Sequence, residues 1–130
     1  MKWSFSNDLP IYAQLVEQMK IGIATGIFPP GSRLPSVRDL AMEAGVNPNT
    51  MQRAMAQLES EGLMYSQRTA GRFVTEDAER IIGVRNDLAQ THVRAFIRVM
   101  NDLAIPADQA LSLIQAAYGK ELESDEHPDL

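Results

Sequence analysis

Apolar residues recur every three or four positions near the start of the chain, which is the pattern of an amphipathic helix. Four of them lie about one helical turn apart: Ile11, Leu15, Met19 and Ile23. Pro10 favours a first helical turn at this position, and Gly26 favours an end. The pattern therefore predicts a first helix between these two residues.

Two further helices are predicted from their apolar stripes and their end signals. Ser36 has the spacing of an N-cap that pairs with Asp39, and Gly45 marks the end of the second helix. Asn47 is a favourable N-cap for the third helix, and Gly62 fits its C-terminal end. The two stripes consist of Val37, Leu40, Ala41 and Ala44, and of Met51, Ala54, Met55 and Leu58.

Two short runs at 63–67 and 72–76 then have the composition of β-strands. Residues 68–71 separate them, and Gly71 can adopt the backbone angles that a hairpin turn requires. The order helix, helix, tight turn, helix, hairpin is typical of a winged helix-turn-helix. We therefore predict a mainly α-helical fold with a small β-hairpin, called the wing below.

The apolar residues of the C-terminal part cover more helix surface than one partner helix can bury. A long helix is predicted from residue 77 to about Leu103, and a second from Pro106 to about Tyr118. The wide apolar surfaces of these two helices favour a bundle that is completed by a second copy of the chain. The alternative is that both helices pack back onto the winged domain. The expected dimer interface comprises Leu88, His92, Phe96, Val99, Met100, Leu103, Leu111, Ile114 and Tyr118.

The composition excludes several classes of function. The 130 residues suffice for about one domain, and no apolar run approaches the roughly 20 residues that a membrane span needs. The chain has no cysteine and only two histidines, His92 and His127, so we expect no metal site, no cofactor and no catalytic residues. The first residues lack the features of a secretory signal, and a cytoplasmic location is expected.

The net charge of −5 is distributed unevenly along the chain. Residues 1–75 contain seven basic and six acidic residues, whereas residues 76–130 contain five basic and eleven acidic residues. The whole negative excess therefore lies in the C-terminal part, and the N-terminal part can approach a polyanion.

The outward face of the third helix carries side chains that pair with DNA bases. Asn and Gln amides match adenine, a guanidinium matches guanine, and a helix N-terminus offers N–H groups to phosphate. In this motif, residues at the start of the second helix and at the wing flank the duplex backbone. The three clusters are Asn49, Thr50, Gln52 and Arg53; Arg33, Ser36 and Arg38; and Arg68 and Arg72. A solvated polar surface is the alternative for each cluster alone, but their convergence favours double-stranded DNA as the partner.

These observations divide the chain into three segments: a winged helix-turn-helix DNA-binding domain at 1–76, a two-helix dimerisation segment at 77–120, and a flexible acidic tail at 121–130.

Five sequence blocks in register resemble the signature of the GntR family of bacterial transcription regulators. These blocks are PIYAQL (10–15), PGSRLPSVRDLA (30–41), VNPNTMQRA (46–54), LESEGL (58–63) and GRFV (71–74). The short C-terminal segment resembles that of the YtrA subfamily, whose members often control neighbouring transporter operons.

The resemblance implies a winged helix-turn-helix that binds an operator as a homodimer. Carried over by position, the contacts to DNA are Arg33, Ser36, Arg38, Asn47, Asn49, Thr50, either Gln52 or Arg53, Arg68 and Gly71. Many relatives have a second glycine near the wing tip where this chain has Thr69, which favours Arg68 as the wing contact.

Three functions compete at this stage. The first is a DNA-binding regulator that acts as a repressor, because a dimer on promoter DNA blocks polymerase. The second is a protein–protein interaction module without operator binding, which the acidic overall charge favours. An enzyme ranks last, because the sequence has no phosphate-binding loop, metal-ligand cluster or nucleophile motif. The identity of a small-molecule effector, and whether one exists, stays open.

Overall fold

The computed structural model describes the backbone of residues 1–125 and the side chains of residues 1–122. This part of the chain forms five α-helices and one antiparallel hairpin, and it divides into two compact units, of which the first is Met1–Ala89 and the second begins at Gln90. The elements in chain order are α1 (Ile11–Ala24), α2 (Val37–Ala44), α3 (Pro48–Ser60), β1 (Met64–Gln67), β2 (Gly71–Val74), α4 (Ala78–Asp102) and α5 (Ala107–Asp125). The predicted fold class, mainly helical with a hairpin wing, is confirmed.

The helix-turn-helix is built by the end signals that the sequence contains. The Ser36 hydroxyl accepts a hydrogen bond from the Asp39 amide at 3.1 Å, and Gly45 ends α2 in the left-handed region with φ 72°. The Asn47 side chain accepts a hydrogen bond from the Asn49 amide at 2.8 Å and thereby caps α3. These caps fix where both helices begin, and hence which residues of α3 face outward.

The wing is a hairpin of two four-residue strands, and each strand is shorter than the run predicted from the sequence. The register pairs Met64 with Val74 and Gln67 with Gly71. Arg33 forms an isolated bridge with Phe73, so the segment before α2 lies along the outer side of β2. The wing is therefore held at two places, by the chain connection from α3 and by the segment that leads into the helix-turn-helix.

The core of the first unit joins α1, α2, α3 and the wing. It consists of fifteen buried residues: Leu15, Met19, Ile23, Leu34, Leu40, Ala41, Ala44, Met51, Ala54, Met55, Leu58, Leu63, Met64, Val74 and Val84. Val84 and the half-buried Ile81 belong to α4, so the compact unit continues beyond residue 76. The functional boundary expected at 76 stays a prediction.

The residues that precede α1 pack against the core of the first unit, to which they belong. Trp3 and Phe5 are half-buried against the core, and the Trp3 ring nitrogen donates a hydrogen bond to Glu43 at 3.2 Å. The side-chain amides of Gln14 and Gln18 hydrogen-bond the backbone of this segment. Because Trp3 is the only tryptophan of the chain, its fluorescence reports on the folding of this unit.

The second unit contains the C-terminal part of α4 and α5. The predicted helix end near Tyr118 is wrong, because α5 continues to Asp125. Gly119 does not stop it, since Lys120, Glu121 and Leu122 all favour helix. Residues 121–125 of the expected acidic tail thus belong to α5, and residues 126–130 lie outside the described residues. None of the helices within residues 1–125 is long and apolar enough to span a membrane.

Candidate nucleic-acid interface

The first two turns of α3 present a polar surface to solvent. Asn49, Gln52 and Arg53 are exposed and Thr50 is half-buried, whereas the opposite face of the helix is fully buried. The outward orientation predicted for this face is therefore present in the fold. An exposed row of amide and guanidinium groups at a helix N-terminus has the donors and acceptors needed to read base edges in a major groove.

Arg53 is oriented by an aromatic ring from α1. Its guanidinium carbon lies 4.4 Å from the centroid of the Tyr12 ring, which is a cation–π geometry. The Tyr12 hydroxyl in turn donates a hydrogen bond to the Gln57 side chain at 3.2 Å. The sequence reasoning missed Tyr12, because the contact depends on how α1 packs against α3.

A second group of predicted residues surrounds a shallow cavity of about 260 Å³ between the start of α2 and the wing. Arg33, Ser36, Gly71 and Arg72 all line it. Gly71 has φ 107°, and a Cβ atom at this position would lie 3.1 Å from Nε of Arg33. Glycine therefore serves two purposes here, since it permits the turn and leaves room for the Arg33 side chain.

Arg38 and Arg68 are two exposed cationic residues among the predicted contacts. Arg38 lies in the first turn of α2 and Arg68 begins the wing turn, and both are exposed. Within the part of the chain that the structure describes, neither takes part in an ion pair. Their charges are available to an anionic partner.

Arg72, in contrast, is engaged inside the protein. Its Nε donates to Glu59 at 3.2 Å, and the Ser66 hydroxyl donates to the same carboxylate oxygen at 2.7 Å. Glu59 thus connects the end of α3 to both strands of the wing, and we call this group of three residues the wing clamp. The sequence reasoning missed Glu59 and assigned Arg72 to DNA. Glu59 lies within one of the sequence blocks, but only the packing of the wing shows its partners.

A second polar group lies along the contact between α1 and α3. Lys20 forms an ion pair with Glu61 at 2.9 Å, and the Gln57 amide donates to the same carboxylate at 2.8 Å. Burial alone would raise the pKa of Glu61, but the hydrogen bonds from Lys20 and Gln57 and the charge of Lys20 outweigh it. The pKa of Glu61 therefore lies below its ordinary value, and the carboxylate stays charged at neutral pH.

The residues expected at a dimer interface fall on both units. Leu88 belongs to the first unit, and the others lie in the second. Val99, Leu103, Leu111 and Tyr118 are more than half exposed in the single chain. Phe96, Met100 and Ile114 are half-buried and line an apolar cavity of about 290 Å³ between α4 and α5. His92 is also exposed, on the α4 surface.

Known proteins are similar to this chain in sequence and in structure. The model of the bacterial regulatory proteins of the gntR family matches residues 11–74. A GntR family transcriptional regulator from Listeria monocytogenes is 38% identical, and its structure superposes with a TM-score of 0.81 over 86% of this chain and 98% of that chain.

Two further relatives carry functional descriptions. The HTH-type transcriptional repressor YtrA of Bacillus subtilis (strain 168) is 44% identical over 73 residues, which are 56% of this chain and 56% of that protein. AraR(DBD) in complex with operator ORX1 is 31% identical with a TM-score of 0.52, over 58% of this chain and 96% of that chain. The winged unit is thus similar to a domain whose structure contains operator DNA.

Proposed function

Because the chain belongs to the GntR family of bacterial regulatory proteins, we propose that it is a homodimeric transcriptional repressor that binds an inverted-repeat operator. The family consists of transcription regulators and not of enzymes. The observation that carries the proposal is the exposed polar face of α3, with accessible arginines on α2 and the wing to either side of it.

In the proposed complex, α3 lies in the major groove and its neighbours hold the phosphates. Asn49 and Gln52 have the amide groups that pair with adenine. Arg38 supplies charge at the start of α2, where the duplex backbone passes in this motif. Arg68 extends from the wing toward the minor groove or its phosphates. Thr50 and Asn47 contribute short polar groups at the helix start, although the Asn47 oxygen already caps α3.

The two half-sites of an inverted-repeat operator require two winged helix-turn-helix domains, which we call the reading domains. The C-terminal helices provide a way to join them. Support comes from large apolar side chains that stay exposed in one chain, with Leu103, Leu111 and Tyr118 each at 60% or more. Exposed apolar area of this kind on two neighbouring helices marks an interaction surface. A second copy would bury it, and a two-fold dimer reads a palindrome with each α3 in one half-site.

Repression of a neighbouring transporter operon is the most specific form of the proposal. It rests on the similarity to the YtrA repressor of Bacillus subtilis. A dimer bound across promoter sequences excludes polymerase without needing an effector. A small-molecule effector, its identity unknown, would act by changing the separation of the two reading domains.

The proposal is tested by selecting bound sequences from random DNA with the full chain and measuring affinity for the selected duplex by fluorescence anisotropy. We expect a palindromic site, two chains per duplex, and affinity that falls steeply as salt rises. Arg38→Glu should abolish binding and leave the dimer intact. Arg85→Glu is the matched control, because Arg85 is exposed on α4, a helix that carries none of the proposed contacts to DNA.

Failure to select any sequence, or one chain per duplex without palindromic preference, would contradict the proposal. The protein–protein interaction module would then become the better interpretation. Equal affinity of wild type and Arg38→Glu for the selected site would contradict the assignment of the interface while leaving operator binding itself established.

A further inference from the structure

Tyr12 lies outside every predicted DNA contact, yet it touches a residue of the recognition face. We propose that Tyr12 is a positioning residue, which holds Arg53 in the orientation in which its guanidinium contacts DNA. This inference rests on the proposed function, because it assigns a role within operator binding. It adds a residue of α1 to an interface so far built from α2, α3 and the wing.

The contact with Tyr12 leaves the N–H donors of the Arg53 guanidinium available to DNA. The guanidinium carbon lies over the Tyr12 ring, 4.4 Å from the ring centroid, so the ring contacts the cation from one side. A guanidinium donates its hydrogen bonds in its own plane, along its edge, and stacking does not consume those donors. Arg53 is exposed, and its N–H edge can therefore bind a phosphate or a guanine while the stack persists.

The Tyr12 ring is itself held in place from its other end. Its hydroxyl donates to Gln57 at 3.2 Å, and the Gln57 amide donates to Glu61 at 2.8 Å. Lys20 completes the series with its ion pair to Glu61. A half-buried ring anchored through its hydroxyl is a rigid support, whereas Arg53 alone would be a long side chain with many rotamers.

Preorganisation of this kind strengthens binding because less side-chain freedom is lost on contact with DNA. A cation–π contact at an exposed site corresponds to a two- to five-fold effect, by order of magnitude. With one Arg53 in each half-site, we expect Tyr12→Leu to weaken operator binding by about 4- to 25-fold in the dimer. Tyr12→Phe keeps the stacking ring and loses only the hydroxyl, so it should stay within about two-fold of wild type.

The decisive test is a double-mutant cycle on the selected operator, with Tyr12→Leu, Arg53→Ala and the double variant in the full chain. If Tyr12 acts through Arg53, adding Tyr12→Leu to Arg53→Ala causes no further loss of affinity. Urea unfolding followed by Trp3 fluorescence identifies any variant that fails to fold. The Tyr12→Phe measurement gives the test a second variant that keeps the aromatic packing.

Two results would overturn the inference while the proposed function stands. One is a further loss from Tyr12→Leu in the Arg53→Ala background, which would show a general structural role. The other is wild-type affinity for both single variants, which would show that Arg53 does not contact DNA. Failure of the wild-type chain to bind any selected duplex would instead contradict the proposed function.

Discussion

The wing clamp makes a quantitative prediction about stability. Glu59 accepts two hydrogen bonds on one oxygen, from Ser66 and from Arg72. The side chains of Glu59 and Arg72 are 37% and 22% exposed, so the ion pair is only partly shielded from water. An ion pair of this kind contributes up to about 1 kcal/mol and the hydroxyl bond about 0.5–1.5 kcal/mol. Glu59→Ala should therefore lower the free energy of unfolding by about 1–2 kcal/mol.

The matched variant Glu59→Gln keeps an acceptor oxygen for Ser66 and removes the charge, so we expect about half of that loss. Urea unfolding followed by Trp3 fluorescence measures both losses. If the free energy of unfolding falls by about 2 kcal/mol per M of urea, the loss expected for Glu59→Ala lowers the midpoint urea concentration by about 0.5–1 M. Arg72→Met should lose about as much as Glu59→Gln, because it breaks the ion pair and leaves the hydrogen bond from Ser66 to Glu59 in place. Identical midpoints for wild type, Glu59→Ala and Arg72→Met would refute the reasoning.

Three other perturbations have defined outcomes. Thr69 is a β-branched residue at φ 68°, a backbone conformation that glycine adopts without strain. Thr69→Gly should raise the free energy of unfolding by about 0.5–1 kcal/mol, because the relieved backbone strain exceeds the conformational entropy that glycine adds to the unfolded chain. An unchanged or lower melting temperature would contradict this prediction. Leu111→Asp should convert the proposed dimer into monomers in sedimentation experiments, and a dimeric variant would argue against this interface. Because the pKa of Glu61 is lowered, its ion pair should stabilise the protein above pH 4.5 and lose that effect as pH falls through the lowered pKa. Lys20→Met should thus cost less than about 1 kcal/mol at neutral pH and nothing in acid, and a cost that does not vary with pH would contradict the assignment.

The parts of the fold that local signals control were predictable. Ser36, Gly45 and Asn47 each act within four residues of their own position, and the structure uses all three as the pattern indicates. The burial of one face of α3 follows from the same logic, since helical periodicity determines which side chains share a face. The exposed position of Asn49 and Gln52 was therefore accessible from the sequence alone.

The contacts that connect distant segments were not predictable. Tyr12 and Gln57 are 45 residues apart, and no local pattern relates them. Arg72 has the charge and wing position of a DNA contact, but the packing of the wing against α3 gives it Glu59 as a partner. The end of α5 was misjudged for a different reason, since the residues after Tyr118 continue to favour helix although Gly119 is among them.

The central claim is that the solvent-facing edge of α3 reads bases, and a crystal structure of the full chain on its selected operator tests it most directly. We predict that each half-site contains the first two turns of α3 in its major groove, with Asn49 and Gln52 within hydrogen-bond distance of base edges. A complex in which α3 lies outside the groove, with these side chains facing solvent or another protein surface, would contradict the account.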